Sequence, residues 1–153
     1  MPGASEMLDK ARELLQPWAQ EVHAPEPNRL DVVVNASDLV SAVRALRDAR
    51  WGYISAITGL DLGPEAGQIE ALYHICHGPA VVTLRVRVPR DAAKVPSVCE
   101  VFPSASFFER ELSEMLGVEV EGTPDPSRLF LPDEWPEGVY PLRKDAVLPT
   151  VSG

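Results

Sequence analysis

The chain of 153 residues is poor in cysteine, with only Cys76 and Cys99, and short of positive charge, with 14 basic against 23 acidic residues. Two thiols cannot build a disulfide framework, and a reducing compartment is the simpler setting for them. They also fall short of the four thiolates that an iron–sulfur cluster of the usual kind requires. A net charge of −9 runs against the basic face that phosphate binding needs. No nucleic-acid partner is therefore expected, and an anionic membrane surface is disfavoured. No apolar run approaches the roughly 20 residues of a spanning helix. The opening Met1-Pro2-Gly3-Ala4-Ser5-Glu6 lacks the basic-then-apolar order of a secretory leader. Any link to a membrane is expected to run through other proteins. A phosphate-binding loop is missing too. Gly59-Leu60-Asp61-Leu62-Gly63 has neither the third glycine nor the helix that should follow it. No serine-centred nucleophile elbow occurs.

What is present fits one globular domain: 45% hydrophobic residues, 24% charged, and 15 prolines crowded toward the end. Met7, Leu8, Ala11, Leu14, Leu15 and Trp18 recur at helical spacing and predict a helix over 5–20 with Ser5 as its cap. Pro25 and Pro27 break the chain over 23–29, and Leu30 to Val34 reads as a strand. A second helix is expected over 37–50, and a strand from Trp51 to Thr58 closed by Gly59. Ile69, Ala71, Tyr73 and Ile75 alternate, as do Val82, Leu84, Val86 and Val88. The two runs flank His77-Gly78-Pro79 and predict a hairpin with one buried face. A third helix starts at Ser104 or Ser106 and stops at Gly117.

The expected fold is α+β: a mixed sheet of four or five strands with helices packed on it, forming a domain over 1–121. Residues 122–153 lose periodicity and gain proline, yet keep Leu129, Phe130, Leu131, Trp135, Tyr140 and Leu142. A disordered tail is poor in such residues, so an extended arm lying on its own domain or on a partner is expected.

The run Phe107-Phe108-Glu109-Arg110-Glu111-Leu112-Ser113-Glu114-Met115-Leu116-Gly117-Val118 is followed by two further elements. These are Arg128-Leu129-Phe130-Leu131-Pro132-Asp133-Glu134-Trp135 and Pro141-Leu142-Arg143-Lys144-Asp145. In that order they resemble the 30 kDa chain, or C subunit, of NADH:quinone oxidoreductase (respiratory complex I). The same family includes the matching small subunit of energy-converting membrane-bound nickel-iron hydrogenases. Ser55 to Asp61, Tyr73 to Cys76 and Val95 to Ser97 extend the resemblance over about 30–145. The chain departs from the family at Thr123, where histidine is usual, and at Ser113-Glu114, where an aspartate is usual. Its spacer Pro136 to Tyr140 is nearer the hydrogenase branch.

The resemblance implies a cofactor-free subunit that packs on the large subunit (the D or 49 kDa chain, or the hydrogenase large subunit). It also implies a cytoplasmic location, peripheral to the membrane through the complex. Glu109, Arg110, Glu111, Arg128, Trp135, Leu142, Arg143, Lys144 and Asp145 are the expected partner interface. No catalytic residue is expected in the chain itself.

Each motif also has a plainer account. Arg110 and Glu114 could form a solvated pair four apart on a helix. Glu109 and Glu111 are two apart and point in different directions, which argues against paired acid–base chemistry. His74, Cys76, His77 and Cys99 suggest a metal, but on a strand only His74 and Cys76 share a face. An independent small α+β enzyme or ligand-binding domain is the rival function, and it requires a polar pocket.

Overall fold

A computed structural model describes residues 2–150. Its centre is a five-stranded mixed sheet made of β1 (Glu21–Glu26), β2 (Arg29–Val33), β3 (Tyr53–Asp61), β4 (Gln68–His77) and β5 (Ala80–Pro89). The spatial order is β1-β2-β5-β4-β3; only β2 and β5 run parallel. Three helices, α1 (Ala4–Leu15), α2 (Leu39–Asp48) and α3 (Ala105–Leu116), complete the architecture. A small parallel pair joins β6 (Lys94–Pro96) to β7 (Glu119–Glu121).

The register explains the core. Ile69, Ala71, Tyr73 and Ile75 of β4 lie opposite Val88, Val86, Leu84 and Val82 of β5. All eight are buried, because alternation sends every second side chain to the same face. Leu8, Ala11 and Leu15 of α1 and Leu39, Ala42, Val43 and Leu46 of α2 are buried in the same cluster. The opposite face carries charge. Glu70 is almost wholly buried beneath Arg85 and Arg87, and Arg85 also reaches Asp31 at 3.3 Å.

Several sequence expectations need correcting. The first helix ends at Leu15, and a single 3-10 turn, Gln16–Trp18, follows where Pro17 cannot donate an intrahelical bond. Ser5 lies inside the helix and Gly3 takes the cap position without a side-chain bond. The supposed break at 23–29 is largely strand β1, an edge where Pro25 is tolerated because one side of the backbone is unpaired. Strand β3 passes through Gly59 to Asp61. Gly59 is needed there because a Cβ would come within 2.1 Å of Leu116 Cδ1 and 2.8 Å of Leu112 Cδ1. That contact seats α3 on the sheet. The third helix ends as expected, with Gly117 in the left-handed region at φ 71°. Strands β6 and β7 have no signature in the sequence, because three residues carry no usable period.

Candidate partner interface

Helix α3 turns Ala105, Glu109, Leu112 and Leu116 inward, a spacing that places them on one stripe at 3.6 residues per turn. Glu109 is therefore a core residue, not a surface contact. Its carboxylate accepts from the Ser97 hydroxyl at 2.7 Å, the Val98 amide at 2.9 Å and the Thr123 hydroxyl at 3.1 Å. The Cys99 thiol donates to it at 2.9 Å. These bonds tie α3 to the segment after β6. Burial and the bond to the Glu109 carboxylate push the Cys99 thiol up to about 11. The thiolate is the nucleophile, so in a Cys76→Ser protein alkylation should stay slow at pH 8 and rise steeply toward pH 11. Rapid labelling at pH 8 would contradict this geometry.

The Arg110–Glu114 pair does not form. Arg110 donates to the Ser127 and Arg128 carbonyls at 2.9 and 2.7 Å and sits 3.5 Å from Asp125. Glu114 accepts from three consecutive backbone amides, Leu129, Phe130 and Leu131, at 2.9–3.1 Å. Both charges thus serve the backbone of the C-terminal segment, which no i,i+4 rule could foresee. Among the described residues, none after Glu121 lies in a helix or strand. Side chains do the work of a ladder there. Arg128 donates to the Pro132 and Trp135 carbonyls, and the Trp135 indole to Val139. A cleft of about 360 Å³ lies between this segment and α3, lined by Arg110, Glu114, Arg128, Trp135 and Tyr140 among others.

Farther along, the Leu142 amide donates to Met115 and Arg143 Nε to Leu116, both carbonyls at the end of α3. This satisfies orphan groups at the helix C-terminus and places a cation at its negative pole. The Arg143 guanidinium also lies 5.0 Å from the Tyr140 ring centre. Asp61 was not among the expected site residues, yet it organises the next turn. It is 3% exposed and accepts from Arg90 Nε and Nη2 and from the amides of Gly63 and Lys144. Arg90 bridges Asp61 to Asp145. The Arg90 guanidinium, aided by the two backbone amides, holds the Asp61 carboxyl far below the usual range despite its burial. Of the nine expected interface residues, Glu111, Leu142 and the Lys144 ammonium form no side-chain hydrogen bond or ion pair with the described residues.

The four candidate metal ligands have other partners or stand apart. Both ring nitrogens of His74 are 2.9 Å from threonine hydroxyls, Thr58 and Thr83, and burial lowers its pKa. Cys76 Sγ pairs with Ser55 at 3.3 Å, and the His77 ring packs edge-on to Trp51. No group of three or more potential ligands converges among the described residues.

The chain is 44% identical over 87 residues to the membrane-bound hydrogenase subunit beta of Pyrococcus furiosus, covering 56% of this chain and 50% of that protein. It is 34% identical over 125 residues to the C subunit of the NADH-quinone oxidoreductase of Moorella thermoacetica, covering 80% and 82% respectively. The chain thus spans half the length of the first relative and most of the second. A chain of the membrane-bound sulfane sulfur reductase, an archaeal respiratory membrane complex, superposes with a TM-score of 0.78 at 26% identity. That match covers 93% of this chain and 86% of the other. The profile of the respiratory-chain NADH dehydrogenase 30 Kd subunit matches residues 32–151, so the chain belongs to that family.

Proposed function

We propose that the chain is a cofactor-free structural subunit in the peripheral arm of a complex related to NADH:quinone oxidoreductase or membrane-bound hydrogenase. It docks on the catalytic large subunit and positions it. The observation that carries this reading is the state of the C-terminal segment. Its polar groups are fastened to α3 and to Asp61, while Phe130, Leu142 and Leu148 stay more than half exposed. A segment held in place with its apolar side chains outward is preorganised for binding, and little ordering cost remains to be met.

Residues 122–153 act in this reading as the arm of the domain 1–121. Arg110, Arg128, Trp135, Arg143 and Asp145 shape the arm from within. Glu111, Leu142 and Lys144 make the contacts. The rival, a free-standing enzyme or ligand-binding domain, needs a pocket with unspent polar groups. The cleft beside α3 offers mainly groups already bonded to the arm's own backbone. No helix among the described residues is long and apolar enough to cross a membrane. Attachment to the cytoplasmic face of the membrane would then come through the other subunits.

Co-expression with the large-subunit gene of the same locus tests the reading. The expected product is a stoichiometric complex, and the free chain should show neither bound metal nor visible absorbance. A free chain carrying stoichiometric metal, or one that ignores the large subunit, would sink it.

A further inference from the structure

The sheet has two edges, and they are built differently. Edge β1 is six residues long and carries Glu21, His23, Pro25 and Glu26, all exposed. Charge and proline on an edge block further pairing. Edge β3 is nine residues long and presents Tyr53, Ser55, Thr58 and Leu60 to solvent, with no proline and no charge before its final Asp61. Its backbone bonds all go to β4, and no other backbone bond of the described residues uses this strand. In an antiparallel edge, alternate residues turn N–H and C=O outward. A long, uncharged edge with its outward groups unpaired is a template for another strand.

Helix α3 roofs this edge. Its inward stripe is Ala105, Glu109, Leu112 and Leu116, and Leu112 and Leu116 rest on Gly59 of β3. Glu109 bonds Ser97, Val98 and Thr123, so the β6–β7 side of the helix faces the middle of the molecule. At 100° per residue the opposite flank carries Phe108, Glu111 and Met115. All three are intermediate in burial, and Phe108 also packs in part against the core. That flank carries two apolar side chains and a carboxylate, Glu111, that makes no hydrogen bond or ion pair with the described residues.

We propose that the outer edge of β3 accepts an extended segment of a partner polypeptide as a sixth strand. The flank of Phe108, Glu111 and Met115 covers that strand, and a basic side chain on it meets Glu111. Charge selects the occupant. A second copy of this chain would bring −9 against −9, whereas a basic segment is attracted. The partner is a protein of the assembly proposed above, so the inference rests on that reading.

Hydrogen exchange on the chain within the assembly purified from its source, and on the chain alone, decides the matter. The outward amides of β3 should exchange freely in the isolated chain and at least about a hundredfold more slowly in the assembly. The outward amides of β1 should not change. A Tyr53→Lys, Leu60→Lys protein, changed at two exposed positions of the strand, should melt like the parent, yet recover at least about tenfold less partner. An assembled chain whose β3 amides still exchange freely would overturn this proposal alone. Protection that grows with the concentration of the isolated chain would replace the partner by a second copy and overturn it. A chain recovered free of partners would overturn both this proposal and the subunit reading.

Discussion

Asp61→Ala should cost the folded chain about 3–5 kcal/mol, the penalty for breaking a buried, hydrogen-bonded ion pair. The substitution removes the buried carboxylate from Arg90, whose side chain is only 13% exposed, leaving it the exposed Asp145 alone, and deprives the Gly63 and Lys144 amides of their acceptor. The loss should carry a pH signature. The Arg90 guanidinium depresses the Asp61 pKa, so this stability is fully present above the ordinary aspartate value of about 4. It declines as pH falls further, toward the folded value. Denaturant melts of both proteins should therefore differ by a constant amount from pH 5 to 8 and converge in stronger acid. A difference under about 1 kcal/mol, or one that grows in acid, would show that Asp61 does not hold the C-terminal segment.

That role was hidden in the sequence for a topological reason. Asp61 ends β3, Arg90 follows β5, and Asp145 lies 55 residues beyond Arg90. Only the register brings them together, with Asp61 opposite Ile69 and Gln68 opposite Pro89 at one end of the sheet. The hairpin β4–β5 was legible because its alternation is strict and a glycine–proline turn separates its strands. The α3 boundary was legible because Gly117 punctuates it. Strand β1 was obscured by Pro25 and Pro27, which signal a break everywhere except at an edge. In α3, residue type marked Glu109, Arg110 and Glu114 as charged, but not their destinations. Glu109 bonds neutral donors in the core, while Arg110 and Glu114 grip backbone rather than each other. An i,i+4 count sees only the helix's own residues.

The second large effect concerns docking. Arg143 and Lys144 adjoin in sequence but separate in space. Arg143 caps α3 through Leu116 and stacks on Tyr140, so Arg143→Ala should destabilise the free chain by about 1–2 kcal/mol. The Lys144 ammonium enters no ion pair among the described residues, and Leu142 is 60% exposed. Replacing both Leu142 and Lys144 by alanine should therefore change the melting of the free chain by less than about 0.5 kcal/mol. If these side chains meet the large subunit, the same pair of changes should cost about 2 kcal/mol of binding or more. That corresponds to an affinity loss of at least about thirtyfold.

The decisive measurement is a titration of the large subunit with the wild-type chain and with the Leu142→Ala, Lys144→Ala chain, alongside thermal melts of each alone. The account predicts equal melting and at least about thirtyfold weaker binding by the variant. Equal binding, or no binding by the wild-type chain, would contradict it.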